Sequence, residues 1–292
     1  MKKPILVCCL CLLITAAIML LGFSVKEPER QTSAAHVLML TQTDTGSYLL
    51  QLRNGVEDAA GELGARLTVA TFSGDALSQL TALKENGISA VLFYPTDDTA
   101  LPSVKAACEA LSLPLTLLGR AADGFAYAAS GEREAGALAA QEARRLGGGQ
   151  AVVLDGSGRR LEGAKEAGGS IVLESGEPGT WSQAAHRLLS EGACVAALTE
   201  EATLAAAEWK QSGLLTCAIV GMDPGPERAA LLENGTLAAE VLPVPYAIGY
   251  AGMKAACQPE TAVSRQTLAP RLITLETLYD ARNVKLSFPL IP

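Results

Sequence analysis

The sequence predicts an α/β protein built as two doubly wound parallel-sheet lobes. Three observations carry that expectation. Short apolar runs of strand length alternate with helical stretches along most of the chain. The runs are too numerous for one ordinary doubly wound sheet. A glycine break, Gly147-Gly148-Gly149, falls near the middle and closes a helix. A closed (β/α) barrel is the competing architecture, but the strands do not form eight evenly spaced units.

The chain begins with Lys2-Lys3, then an apolar stretch from Ile5 to Phe23 broken by Thr15 and Gly22. A basic start followed by an apolar core reads as a targeting segment. Its length suits a cleaved signal peptide or an uncleaved anchor of nearly bilayer-spanning length. Lysines at that end hold it in the cytoplasm and place the remainder outside. Residues 1–24 are therefore a signal peptide or membrane anchor, and 25–35 a polar linker. The expected location is extracytoplasmic, in the periplasm or on the outer face of the cell membrane.

Strands and helices then alternate. His36 to Thr41 is a strand, and Gly46 to Leu63 a helix with Leu49, Leu52, Val56 and Ala60 on its core face. Leu67 to Phe72 is a strand and Asp75 to Asn86 a helix. Ile88 to Tyr94 is apolar enough to be buried on both faces. Pro95-Thr96-Asp97-Asp98 ends it, a helix carrying Val104, Ala107, Cys108 and Leu111 follows, and Leu113 to Leu118 is the next strand. A right-handed crossover makes these two strands parallel and brings Asp97 and Arg120 to the carboxyl edge, where open α/β sheets bind ligands. Phe125 to Ala129 is a short strand and Glu132 to Leu146 a helix. The second set has strands at Ala151 to Leu154, Ser170 to Leu173, Cys194 to Leu198, Thr216 to Val220, Leu237 to Leu242 and Arg271 to Leu275. Helices at Arg160 to Ala167, Ser182 to Ser190, Glu201 to Gln211, Pro226 to Glu233 and Tyr246 to Cys257 separate them.

Composition excludes some functions. The 292 residues carry 23 Lys and Arg against 31 Asp and Glu, a formal charge of −8. Nucleic-acid binding needs a cationic face, so no nucleic-acid partner is expected. Of seven cysteines, Cys8, Cys9 and Cys11 lie in the leader, and Cys108, Cys194, Cys217 and Cys257 are far apart. No metal-ligand spacing exists, so no metal and no cofactor is expected. GxSxG, P-loop and HExxH motifs are absent, and Glu200-Glu201 lacks a general-acid partner, so no enzyme is expected.

Polar residues following the strands form the candidate ligand site: Asp44, Tyr48, Asp97, Arg120, Arg160, Trp181, Thr199 and Asp223. Carboxylates and arginines with an aromatic suit a polyol, because hydroxyls donate and accept while Arg offers a fixed fork of donors. Tyr48 and Trp181 could stack on an apolar sugar face. Helix capping is the competing role for Asp44, Asp75, Glu132 and Glu200. Arg159-Arg160 could equally be solvated surface. Trp209, inside a helix, reads as packing.

The order of motifs resembles a known family. Leu52-Arg53-Asn54-Gly55-Val56, Phe93-Tyr94-Pro95-Thr96-Asp97, Thr116-Leu117-Leu118-Gly119-Arg120, and Val220-Gly221-Met222-Asp223 with Asn234-Gly235-Thr236-Leu237-Ala238-Ala239 are similar to stretches of the type I periplasmic solute-binding proteins of the ribose/galactose class. That fold, periplasmic binding protein-like I, is shared with the effector domains of LacI-type repressors. The resemblance implies two lobes joined by a three-crossover hinge: residues 36–130 plus 244–271, and 131–243 plus 272–280, with 281–292 as a tail. It implies that Arg120, Arg160 and Asp223 bind ligand and that Trp181 stacks on it. Departures are Gly46-Ser47-Tyr48-Leu49 for the family's first loop, Gly119 for its aspartate, Thr199-Glu200 for its Asn-Asp, and Pro243 for its glutamine. The implied function is capture of a small polar, carbohydrate-like ligand for an ABC transporter permease. The alternative is a membrane-anchored ligand-sensing subunit for a two-component sensor kinase. The apolar leader stands where a repressor would carry a DNA-binding helix-turn-helix, which argues against a LacI-type regulator.

Overall fold

The computed structural model describes residues 35–155, 158–222, 226–258, 264–281 and 283. The apolar leader, all of the linker but Ala35, Asp223 and most of the tail lie outside the described residues. Among those described, no helix is long and apolar enough to cross a membrane.

The chain opens with β1 (His36–Thr41), α1 (Ser47–Leu63), β2 (Arg66–Thr71), α2 (Ala76–Glu85), β3 (Ala90–Tyr94), α3 (Leu101–Ala110), β4 (Leu115–Leu118) and β5 (Ala126–Ser130). It passes to a second set at Gly131: α4 (Glu132–Leu146), β6 (Gln150–Leu154), α5 (Gly158–Glu166), β7 (Ser170–Glu174), α6 (Gln183–Ser190), β8 (Cys194–Ala197), α7 (Glu200–Gln211), β9 (Ile219–Met222), α8 (Pro226–Glu233) and β10 (Ala239–Leu242). It returns through α9 (Pro245–Cys257) to β11 (Arg265–Leu268) in the first sheet, and ends with β12 (Arg271–Thr274) in the second.

The first sheet has the order β11-β5-β4-β3-β1-β2 and the second β12-β10-β9-β8-β6-β7, the same winding twice. All pairings are parallel except β10 with β12. Parallel strands need cover on both faces, and β1, His-Val-Leu-Met-Leu-Thr, is buried along its whole length. Edge strand β2 mixes exposed and half-buried residues instead. Three chain crossings join the lobes, after β5, after β10 and between β11 and β12.

Two glycine-mediated helix contacts fix which helix belongs where. A Cβ on Gly55 of α1 would run into the Tyr246 carbonyl of α9, and one on Gly249 into that of Leu52. In the second lobe, a Cβ on Gly136 of α4 would meet the Arg160 carbonyl, and one on Gly163 of α5 that of Arg133. Only bare backbone allows such close approach.

The chain changes sheets at Gly131, and the Gly147–Gly149 turn near the middle of the sequence lies inside the second lobe, between α4 and β6. The structure departs from the sequence-based elements in one place. Strand β11, with its polar Arg-Gln-Thr-Leu sequence, was not anticipated. The last crossing precedes β12 at Arg271.

Candidate functional site: a charged cleft between the sheet edges

The carboxyl ends of β4 and β5 in the first sheet face the amino-terminal turns of α4 and α5 in the second lobe. Between them is a cavity of about 500 Å³. Gly119, Arg120, Ser130 and Thr267 line it from the first lobe and the crossing. Glu132, Arg133, Glu134, Arg159 and Glu162 line it from the second. No aromatic ring is among the described lining residues.

Arg120 reaches the cleft because β4 ends at Leu118 and Gly119 turns the backbone with φ 75. Its guanidinium holds Asp98 by two contacts, at 2.7 and 2.9 Å, and its side chain keeps 40% of its surface exposed. A side chain at Gly119 would meet Tyr94 at 3.1 Å and the Tyr48 hydroxyl at 3.2 Å. Tyr48 and Tyr94 stack on each other at 5.7 Å, so the two rings fill the space beside the glycine. Burial pushes the Tyr94 hydroxyl pKa up.

Asp97 turns inward to its own loop. One carboxylate oxygen accepts from the Thr99 amide at 2.8 Å, the Thr99 hydroxyl at 2.5 Å and the Gln42 amide group at 3.0 Å. The Thr99 hydroxyl, then Gln42, hold its pKa below the usual carboxylate value. Gln42 completes the clasp by accepting from the Thr96 amide at 2.8 Å. Asp44 is exposed in the loop after β1.

Three second-lobe candidates occupy structural positions. Trp181 is 5% exposed, packs edge-on against Trp209 at 6.0 Å and donates from Nε1 to the Gly176 carbonyl at 2.8 Å. It belongs to the core of that lobe, because the turn before α6 folds it inward, and it presents no stacking face to the cleft. Thr199 caps α7 by accepting from the Ala202 amide at 3.1 Å. Arg160 pairs with Glu132 and donates to the Leu198 carbonyl at 2.9 Å, which ties α5 to α4 and to the end of β8. Its neighbour Arg159 faces the cleft in its place. Asp223 lies outside the described residues.

Of the predicted residues, the structure therefore brings Tyr48 and Arg120 together at one edge and sends Trp181, Thr199 and Arg160 elsewhere. Sequence reasoning passed over Ser130, Glu134, Glu162 and Thr267. For all but Glu162 the available signal was the lobe crossing itself: residues next to a chain change between sheets line the cleft whatever their type. Among the described residues no group of His, Cys, Asp and Glu is placed to hold a metal.

A model of the periplasmic binding protein domain matches residues 37–259. No curated protein matches the chain in sequence. Solved structures of the same fold include a periplasmic ribose ABC transporter protein from Conexibacter woesei, 18% identical with a TM-score of 0.68, covering 84% of this chain and 93% of that one. The Caulobacter myo-inositol binding protein bound to myo-inositol is 19% identical, TM-score 0.62, covering 87% and 98%. A XylFII–LytSN complex is similar at 15% identity, TM-score 0.66, covering 82% and 98%.

Proposed function

As the chain belongs to the periplasmic binding protein family, a family of extracytoplasmic solute-binding proteins, we propose that it captures a small polar, carbohydrate-like ligand between its lobes and delivers it to an ABC transporter. One observation carries this reading: the cavity of about 500 Å³ at the strand tips, lined from both of the lobes that three chain crossings join. Lobe closure about such segments buries ligand and changes the surface offered to a partner. Arg120 is the central first-lobe contact, with Tyr48 beside it and Asp44 and Asp97 on neighbouring loops. The residues serve binding, not turnover.

A thermal-shift screen of the full chain against neutral, acidic and amino sugars tests the reading, since a ligand that binds only the folded state raises its stability by mass action. The expected result is a concentration-dependent rise in Tm that Arg120→Ala abolishes. A rise untouched by Arg120→Ala would remove Arg120 from the site.

A second reading, a membrane-anchored sensing subunit, draws support from the similarity to a protein solved in complex with another chain, XylFII with LytSN. The fate of the apolar leader separates the two. A mature protein starting near Ser24 favours delivery to a transporter; a retained Ile5–Phe23 segment favours the sensor.

A further inference from the structure

We infer that the ligand-selecting part of the cleft lies toward the hinge, at the tips of β4, β5 and β11, and that it selects a small zwitterion. This rests on the proposed capture between lobes, but not on the ligand being a neutral sugar.

The side of the cleft near β1 and β3 is already filled. Tyr48 and Tyr94 stack on each other against Gly119. Asp97 is committed to Gln42 and Thr99. A neutral pyranose or inositol placed there would meet rings and polar groups that already have partners.

The hinge side differs. Arg159 and Glu162 stand three residues apart on α5, and both are exposed into the cavity. Neither is in an ion pair among the described residues, and the same holds for Glu134; Arg133, whose charge acts on both carboxylates, is itself hydrogen-bonded to Glu166. The Glu134 carboxylate leans over Gly131 at the start of α4. It therefore covers the helix end that would otherwise receive an anion. Closing the lobes withdraws these three charges from water, which is costly unless each gains an opposite charge. A simple anion would satisfy Arg159 and repel Glu134 and Glu162; a simple cation would do the reverse. A ligand with both a carboxylate and an ammonium group meets both demands. The carboxylate faces Arg159 and the free edge of Arg133, whose other side holds Glu166. The ammonium faces Glu162 and Glu134. α-Amino acids and amino-sugar acids are the chemical class.

Calorimetric titration of the purified full chain tests this with four arms: L-amino acids and muramic acid as zwitterions, ribose, glucose and myo-inositol as neutral polyols, glucuronate as an anion, and glucosamine as a cation. Binding in the zwitterion arm, weakened at least about tenfold by Arg159→Ala and by Glu162→Gln but unchanged by the distant Glu57→Gln, is the expected result. Both substituted residues are exposed, so ligand-free melting should stay essentially unchanged and report that the variants fold. Zwitterion binding indifferent to both substitutions overturns the placement. Binding confined to the polyol, anion or cation arm overturns the zwitterion class and leaves capture between lobes intact. Silence in all four arms overturns both.

Discussion

The two lobes wind identically but are fastened differently. Each sets a pair of helices against one another through glycines, α1 with α9 in the first and α4 with α5 in the second. In the first lobe the pair is tied by neutral donors: the Tyr246 hydroxyl to Asp58 at 2.7 Å, and the Tyr250 hydroxyl to Glu62. In the second it is tied by charge, Arg160 to Glu132 and Arg133 to Glu166. The charged pair also lines the cleft, and the tyrosine pair does not. Fastening and cleft lining are thus separate tasks in one lobe and share the same helix turns in the other. Ionic conditions should therefore act on the second lobe first.

The largest effects should come from the glycine contacts. Gly55→Leu or Gly163→Leu forces a side chain into a backbone carbonyl of the facing helix, with a cost of roughly 3 kcal/mol or more. Both tryptophans, Trp181 and Trp209, pack in the second-lobe core. Gly163→Leu should therefore displace the tryptophan fluorescence transition directly. Gly55→Leu should first appear as faster amide exchange in α1 and α9, with the tryptophan transition displaced less. Equal displacement by both would show that the lobes unfold as one cooperative body. Next in size is Trp181→Ala, which empties a core site and should cost about 3–5 kcal/mol. That result would set a core role apart from a ligand-stacking one, because ligand affinity should persist in the folded fraction.

pH should separate the lobes in opposite directions. Hydrogen bonding to Asp58, then burial, pushes the Tyr246 hydroxyl up to about 12. A group whose folded pKa is raised stabilises fully below its unfolded value and loses that contribution as pH climbs toward the folded one. The first-lobe tie should weaken between pH 10 and about 12. Tyr246→Phe should flatten the stability profile in that window alone. Arg133 holds the Glu166 carboxyl below its usual 4.5, first by hydrogen bonding. A lowered folded pKa stabilises above the unfolded value and is lost as pH falls through the folded one. Acid below pH 4.5 should therefore loosen α4 from α5, and Glu166→Gln should remove that dependence. A wild-type profile that tracks each variant across its window would assign no energetic role to that tie.

Much of the fold was legible because parallel strands announce themselves. A strand buried on both faces must be a continuous apolar run, as Val37 to Leu40, Ala90 to Phe93 and Ala151 to Leu154 are. β11 escaped notice for the converse reason: it is an edge strand, half exposed, and its Arg-Gln-Thr-Leu sequence has no such run. The site was less legible. Sequence locates the residue after a strand but not the rotamer that aims it. Arg159 and Arg160 are adjacent on a helix, about 100° apart around its axis, and only coordinates show which one turns to Glu132. Trp181 looked like a ligand platform by position, yet a five-residue turn from Gly176 folds its indole into the core. Asp98, which holds Arg120, was hidden by its neighbour Asp97.

The smallest effect on stability should come from that Arg120–Asp98 pair. With side-chain exposures of 40% and 72%, its charges are largely hydrated, and such pairs contribute at most about 1 kcal/mol. Asp98→Ala should leave chemical denaturation almost unchanged. Its effect should fall on binding, because Asp98 fixes which way the guanidinium points. A freed Arg120 pays more rotamer entropy when it contacts a ligand, so affinity should drop while Arg120→Ala drops it further. If Asp98→Ala and Arg120→Ala weaken binding equally, the pair acts as a unit and Asp98 belongs to the ligand site itself. If Asp98→Ala tightens binding, the carboxylate competes with the ligand, and the first lobe holds its arginine in reserve until the second lobe closes.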